Sequence, residues 1–173
     1  MFRQIDALES EIVALVQNLV RIPSVNTGFM PTGGETAVCE YVHDWLSEYG
    51  IPSEILGKTP ERGNIIARIE GRNPGSRLML MSHTDVVPVE DADKWRFPPF
   101  TAAVAEGRVY GRGANDCKGL LTAQLIAMMM LARNGVELEH SLTLCSGADE
   151  EHGGRYGFGW MAENHPEAIR ADY

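Results

Sequence analysis

The run that decides the fold is Arg77-Leu78-Met79-Leu80-Met81-Ser82, whose apolar residues occupy both faces of an extended chain. Strands that are apolar on both faces are typical of central, buried positions in a sheet. Residues 120–133 predict a helix that ends at Asn134-Gly135, and residues 141–146 predict a second buried strand. Because two strands joined by a crossover helix pair in parallel, the sequence predicts an α/β fold: a three-layer αβα arrangement with a mixed, centrally parallel sheet.

Two helices are predicted before this run. Residues 1–20 carry apolar side chains at helical spacing and predict one amphipathic helix, which Pro23 stops. Thr32 and Glu35 have the spacing of a capping box, which predicts a second helix that continues to about Tyr49.

Two further strands are predicted between these helices and the apolar run. Residues 53–56 are a short candidate, and residues 64–70 alternate apolar and other side chains over a longer stretch. Residues 71–75 are rich in glycine, asparagine and proline and predict a turn.

Composition favours a single cytoplasmic domain. The 173 residues carry a formal net charge of −9, which disfavours nucleic acid and anionic membranes as partners. The three cysteines, Cys39, Cys117 and Cys145, lie far apart and predict reduced thiols rather than disulfides. The amino terminus lacks the apolar core of a signal peptide, and the longest apolar run, residues 120–132, is too short to span a bilayer.

Acidic and imidazole side chains follow the predicted strands. His83 and Asp85 come directly after the first buried strand, Glu150 and Glu151 come after the second, and Asp116 opens the crossover helix. In open α/β sheets the ligand crevice lies outside the carboxyl ends of the strands. We therefore expect these five residues to lie on one side of the sheet.

Each of these groups also has a simpler explanation. His83 could be a core residue, residues 149–151 a solvated acidic turn, and Asp116 a helix cap. Their joint occurrence at one sheet edge weakens these alternatives, because the carboxylates would repel one another strongly without cations. Metal binding explains all three groups together.

The residue types suit a catalytic metal site. Imidazole and carboxylates without thiolates favour zinc, with cobalt or manganese as alternatives. His83 would bind through one ring nitrogen while Asp85 holds the other, which fixes the tautomer. Asp116 has two oxygens and could bridge two ions. Of Glu150 and Glu151, one would bind metal and the other would accept a proton from water.

The order of the motifs resembles the M20 metallopeptidases, a family that includes acetylornithine deacetylase, succinyl-diaminopimelate desuccinylase, aminoacylase-1 and glutamate carboxypeptidase. The resemblance covers essentially the whole chain, as the amino-terminal part of the catalytic domain. The motifs are His83-Thr84-Asp85-Val86-Val87-Pro88, Trp95, Pro99-Phe100, Tyr110-Gly111-Arg112-Gly113, Asp116-Cys117-Lys118-Gly119 and Asp149-Glu150-Glu151-His152-Gly153-Gly154.

The resemblance implies a role for each candidate residue. It assigns one metal to His83, the orienting role to Asp85, and the bridge between two metals to Asp116, whose peptide bond to the next residue is expected to be cis. It makes Glu150 the general base and Glu151 a ligand of the second metal. The implied cofactors are two divalent metal ions, with zinc as the first choice.

The implied function is hydrolysis of an amide bond in an N-acyl amino acid or a peptide, as a deacylase, a carboxypeptidase or a dipeptidase. Water activated by the two metals would attack, and Glu150 would pass its proton to the leaving amine. The resemblance implies a small-molecule or peptide substrate, no nucleic acid or membrane partner, and a homodimer formed through a lid domain. Cys117 replaces a common methionine and is interpreted as a small apolar substitute.

The chain departs from the family pattern in its ligand count. The family supplies three protein ligands to each metal, whereas His83, Asp116 and Glu151 supply two to each. The missing carboxylate and histidine, and the lid domain, are expected beyond Tyr173. Residues 1–173 are therefore expected to be the amino-terminal portion of a longer catalytic domain, inactive on its own.

Two other functions remain open. The chain could be a catalytically incompetent fragment, or a non-catalytic binding module of the same fold. The presence of Glu150 together with His83, Asp116 and Glu151 disfavours the module. The chain could also be a hydrolase of another class with two metal ions, such as a zinc aminopeptidase. The sequences of residues 83–85 and 116–119 disfavour this alternative.

Overall fold

The computed structural model describes residues 2–173. Its helices are α1 (Phe2–Asp6), α2 (Glu9–Arg21), α3 (Glu35–Ser47), α4 (Lys118–Arg133) and α5 (Phe158–Asn164). Its strands are β1 (Ser53–Gly57), β2 (Gly63–Ile69), β3 (Asn73–His83), β4 (Ala103–Ala105), β5 (Arg108–Tyr110) and β6 (His140–Gly147). Over these residues, no helix combines the length and the apolar character that crossing a bilayer requires.

A mixed sheet of four strands organises the fold, in the order β1-β2-β6-β3. The β1–β2 and β2–β6 pairs are antiparallel, and β3 and β6 are parallel, joined through α4. In the β3–β6 register His83 lies opposite Gly147, so both strands end at the same edge. The predicted pairing of the apolar run with residues 141–146 is confirmed.

Helices cover both faces of this sheet, which confirms the three-layer prediction. The larger core packs α2, α3 and α4 on one face, where Leu19, Val42 and Leu125 are fully buried. On the other face Met161 of α5 packs against Cys145 of β6. The side chains of β6 alternate between the two cores, which is why its sequence is apolar on both faces.

The first predicted helix is interrupted, so the prediction of a single helix over residues 1–20 is wrong in this respect. α1 ends at Asp6 and α2 starts at Glu9, with Leu8 between them. Ile5, Leu8 and Ile12 still pack against the same core. Two helices joined by a turn place these apolar side chains on the core just as one continuous helix would. The apolar pattern therefore could not distinguish the two arrangements.

The predicted capping box of Thr32 and Glu35 is wrong. α3 begins at Glu35 itself, after Gly34 in a left-handed conformation, and no side chain caps it. The Thr32 hydroxyl donates to the carbonyl oxygen of Phe29 instead. Glu35 is fully buried, and one of its oxygens lies 2.8 Å from Nη2 of Arg62, so its carboxylate pairs with the guanidinium.

β3 differs from the prediction at its start and in its position. It begins at Asn73, inside the predicted turn of residues 71–75, with a register shift before Arg77. Within residues 2–173 it has one neighbouring strand in the sheet, so its prediction as a central strand is not met. On its other edge, the main-chain nitrogen of Met79 donates to the carbonyl oxygen of Tyr173 at 2.8 Å. The side chain of Met81 remains 54% exposed.

The buried thiols give a test of the core. Cys39 and Cys145 are free and have no exposed surface, and burial raises the pKa of both thiols, that of Cys145 to about 12. At pH 8 we expect Ellman's reagent to label them at least about 100-fold more slowly in the native chain than in urea, because the thiolate is the reactive form. Rapid labelling of either cysteine in the native chain, located by peptide mapping, would contradict this packing.

Candidate metal centre

His83 is the last residue of β3 and lies at the edge where β3 and β6 end. Its side chain is nearly buried, and its Nδ1 lies 3.1 Å from the carbonyl oxygen and 3.4 Å from the carboxylate Oδ1 of Asp85. Its Nε2 faces Oδ1 of Asp116 at 3.0 Å and Oε2 of Glu150 at 3.7 Å. One ring nitrogen is therefore held by the protein, and the other faces two carboxylates.

Asp85 is fully buried and holds more than the imidazole. Its carboxylate accepts from the side-chain amide of Asn26 at 2.9 Å and from the main-chain nitrogens of Glu150 and Glu151 at 3.1 and 3.2 Å. The same carboxylate therefore orients His83 and fixes the backbone that carries both glutamates. The second contact was not predicted from the sequence.

Asp116 stands before the first turn of α4, and its peptide bond to Cys117 is cis, as the family resemblance predicts. Its carboxylate is 73% exposed and points towards His83. Gly113, in the same loop, has a φ of +81°, and an added Cβ would lie 2.5 Å from the side chain of Val86. Glycine is required there because the loop passes directly over the strand connection.

Two buried residues after Asp116 fix the start of α4. The Cys117 sulfur accepts from the main-chain nitrogen of His83 at 3.3 Å, so it contacts the site as well as filling space. The ammonium group of Lys118 donates to the carbonyl oxygen of Ile22 at 2.7 Å, and burial lowers the pKa of this lysine to about 8.

Glu150 and Glu151 lie in a turn after β6, which we call the acidic turn (Asp149–His152). Asp149 adopts a left-handed conformation, and its carbonyl oxygen accepts from the main-chain nitrogen of Gly154 at 2.6 Å. A Cβ on Gly157 would collide with the carbonyl oxygen of Ala148, so the chain returns to the start of the turn in close contact. The segment from Ala148 to Gly157, which contains the acidic turn, is thereby closed on itself.

Neighbouring acceptors control the charge on His83. Burial lowers the pKa of the imidazole, but hydrogen bonds with Asp85, Cys117 and Asp116 outweigh it and raise the pKa to about 11. The surrounding negative charge therefore stabilises the protonated imidazole, as expected at a position that attracts a cation.

Glu151 experiences the same concentration of negative charge. Its pKa is raised first by partial burial and then by the charges of Asp116, Asp85 and Glu150, while His83 acts in the opposite direction. A divalent cation would relieve this repulsion, because a bound ion is the largest charge in its surroundings.

The donor atoms fit a divalent metal ion. In the part of the chain that the structure describes, ligand atoms of His83, Asp116 and Cys117 lie within 4.8 Å of one another. A cavity of about 450 Å³ opens on them and is also lined by Glu150. Glu151 lies outside that group of three, although its main-chain nitrogen is held by Asp85. Its role as a metal ligand remains a prediction.

Sequence reasoning missed the polar residues beneath the site. Arg62 is nearly fully buried, and its Nη2 lies 2.8 Å from Glu35 and 3.1 Å from Asp149. Asn26 donates to both Asp85 and Asp149 at 2.9 Å. These residues lie far apart in the sequence, and no periodicity or motif pointed to their meeting.

The αβα fold, with imidazole and carboxylates at the carboxyl edge of its parallel strands, is typical of a metallohydrolase catalytic domain. Residues 79–173 match the family described as Peptidase family M20/M25/M40. The chain belongs to the M20 peptidase family, as its motifs predict.

Relatives of known name are consistent with this membership. A probable succinyl-diaminopimelate desuccinylase of Staphylococcus epidermidis is 35% identical over 83% of the chain. The chain spans about a third of the length of such curated relatives, 33% for this one.

Solved structures share the fold. An M20 family metallo-carboxypeptidase from Sulfolobus solfataricus has a TM-score of 0.79 and 26% identity, over 94% of this chain and 36% of that one. A dinuclear metal binding peptidase of the M20 family from Bacillus subtilis has a TM-score of 0.63 and 20% identity, over 91% of this chain and 39% of that one.

Proposed function

We propose that the protein is a metal-dependent hydrolase that cleaves an amide bond in an N-acyl amino acid or a peptide. The observation that carries the proposal is the orientation of His83, whose Nδ1 is held by Asp85 while its Nε2 faces Asp116 and Glu150. The names of the relatives, a desuccinylase and a metallo-carboxypeptidase, supply the substrate classes.

Two divalent metal ions would be held by His83 and Asp116 on one side and by Asp116 and Glu151 on the other. The imidazole and carboxylate donors favour zinc, with cobalt or manganese as alternatives. When bound, such ions lower the pKa of a water molecule to about 7 and polarise the scissile carbonyl. The naming of the Bacillus subtilis relative as a dinuclear metal binding peptidase supports the number of ions.

The side chains of the site would divide the remaining work. Asp85 keeps Nε2 of His83 directed to the cavity by holding its Nδ1. Glu150 lines that cavity and would take the proton of the attacking water and deliver it to the leaving amine. Its main-chain nitrogen is fixed by Asp85, which limits its movement between the two proton transfers.

Several properties of the whole protein are part of the same proposal. We propose that residues 1–173 correspond to the amino-terminal portion of an M20 catalytic domain, since the chain spans only about a third of the length of the Staphylococcus epidermidis relative. The remaining metal ligands and a lid domain that mediates dimerisation would lie outside this segment. The three free cysteines support a cytoplasmic location.

A zinc titration separates a hydrolase domain from a non-catalytic module. We expect calorimetry to detect zinc binding by the wild-type chain and none after Asp116→Ala, because both half-sites share this carboxylate. Asp93→Ala removes a carboxylate outside the site and should bind like the wild type. Equal binding by Asp116→Ala, or no binding by the wild type, would contradict the proposed metal centre.

A further inference from the structure

Asn26 lies beneath the candidate site with its side chain fully buried. Its amide nitrogen is 2.9 Å from Oδ2 of Asp85 and 2.9 Å from Oδ1 of Asp149. Its amide oxygen accepts from the main-chain nitrogen of Gly28 at 2.9 Å. Every part of the amide is therefore engaged, and both of its protons point to carboxylates.

Few neutral side chains can occupy the space between two buried carboxylates. An amide nitrogen offers two protons, whereas a serine hydroxyl offers one and an ionised aspartate none. Two carboxylates that share one amide are each satisfied without a second full positive charge. Without the amide each carboxylate would keep its other partners but lose one hydrogen bond in a buried position, which costs free energy.

The two carboxylates bound by Asn26 belong to the two halves of the site. Asp85 holds His83 and accepts from the main-chain nitrogens of the acidic turn. Asp149 begins the acidic turn and accepts from the main-chain nitrogen of Arg155 at 2.8 Å. The Asn26 amide is thus a direct link between the residue behind the imidazole and the turn that carries the glutamates.

The backbone of Asn26 is itself fixed to the strand connection. Its main-chain nitrogen donates to the carbonyl oxygen of Val86 at 2.9 Å, and the Val86 nitrogen donates to Ser24 at 2.9 Å. The Ser24 hydroxyl donates to the carbonyl oxygen of Thr84 at 2.6 Å. The amide is therefore held in place before any ligand arrives.

We propose that Asn26 is a positioning residue that couples His83 to the acidic turn by holding Asp85 and Asp149 in one arrangement. The proposal rests on the proposed function, since the metal would be bound by residues on both sides of this link. Asp85 would keep its bonds to the main-chain nitrogens of Glu150 and Glu151 without this link, but the start of the acidic turn at Asp149 would no longer be tied to Asp85, so the turn could shift relative to His83.

The first measurement uses the metal-free chain. In the wild type, NMR should show both side-chain amide protons of Asn26 exchanging with solvent at least about 100-fold more slowly than those of the exposed Asn73. In Asn26→Ser, the main-chain amides of Glu150 and Glu151 should exchange at least about tenfold faster than in the wild type. Fast exchange of the Asn26 side-chain protons in the wild type would overturn the proposal even if the variants fail to fold.

The second measurement is zinc binding by calorimetry. Asn26→Ser and Asn26→Asp should weaken zinc binding by about 10- to 100-fold, the usual effect of losing a partner of a metal ligand. Ser141→Ala is the control, because Ser141 is equally buried and its hydroxyl makes two hydrogen bonds, with Glu70 and Gly71, at the end of β6 opposite to the site. It should lower the melting temperature similarly and change zinc affinity less than about threefold.

The outcomes separate this inference from the proposed function. Unchanged zinc affinity in both Asn26 variants, or an equal loss in Ser141→Ala, would overturn the positioning role. If the wild-type chain binds no zinc, the proposed metal centre fails. The exchange rates of the metal-free chain then decide the Asn26 link on their own.

Discussion

In the longer protein to which residues 1–173 are proposed to belong, replacing Glu150 by glutamine is expected to slow amide hydrolysis by about 10²- to 10⁴-fold while zinc remains bound. Glutamine has nearly the same shape but cannot take up the proton of the attacking water. The fold of the acidic turn should survive the change, because its contact with Asp85 is made by the main-chain nitrogen of residue 150. The zinc affinity should survive as well, because the proposed ligands are other residues.

The assay is the release of free amine from N-succinyl and N-acetyl amino acids and from dipeptides, with zinc, cobalt or manganese supplied. Glu163→Gln is the matched control, because Glu163 is an exposed residue of α5 away from the cavity. It should react at the wild-type rate. Near-normal turnover by Glu150→Gln would eliminate Glu150 as the general base. A longer wild-type protein that binds zinc without releasing amine would favour a non-catalytic module.

Replacing Arg62 by methionine is expected to lower the free energy of unfolding by about 3–5 kcal/mol, the usual cost of removing one partner of a buried ion pair. The guanidinium lies 2.8 Å from Glu35 and 3.1 Å from Asp149, and all three residues are buried. Methionine would fill much of the volume but would leave two carboxylates without their cation. Urea unfolding at pH 7 measures the loss.

The pH dependence of this loss identifies its cause. Burial raises the pKa of Glu35, while the hydrogen bond and charge of Arg62 lower it, so removing Arg62 would raise it further. When folding raises the pKa of a carboxyl group, the folded protein loses stability as the pH rises from the unfolded pKa of that group through its folded pKa. The variant should therefore recover part of its stability at pH 5 relative to pH 8.

Arg96→Met is the matched control for Arg62. Arg96 pairs with Glu106 at 2.7 Å, but both side chains are more than half exposed. Water screens such a pair, so its loss should leave the free energy of unfolding almost unchanged. If both substitutions lower the free energy of unfolding equally, burial of the Arg62 ion pair does not increase its contribution to stability.

The sequence predicted those parts of the fold that depend on local pattern. β6 and α4 were found to within two residues because a buried strand and a helix closed by Asn134-Gly135 have strong local signals. The positions of His83, Asp116 and Glu150 at one sheet edge followed from the parallel pairing of two strands.

The parts that failed depend on contacts between distant residues. Glu35 has the spacing of a helix cap, but burial beside Arg62, 27 residues away, directs its side chain elsewhere. The link between Asn26 and Asp149 spans 123 residues. Such pairs have no period and no spacing rule, so only the folded chain reveals them.

The contact between Gly157 and Ala148 has a consequence for the timing of binding. It closes the segment that contains the acidic turn while the chain folds, so the entropy of loop closure is lost at that stage. An arriving ion would then meet a turn that is already ordered, and its affinity would depend mainly on charge and desolvation. Enlarging residue 157 would reopen the segment and shift that entropic cost from folding to binding.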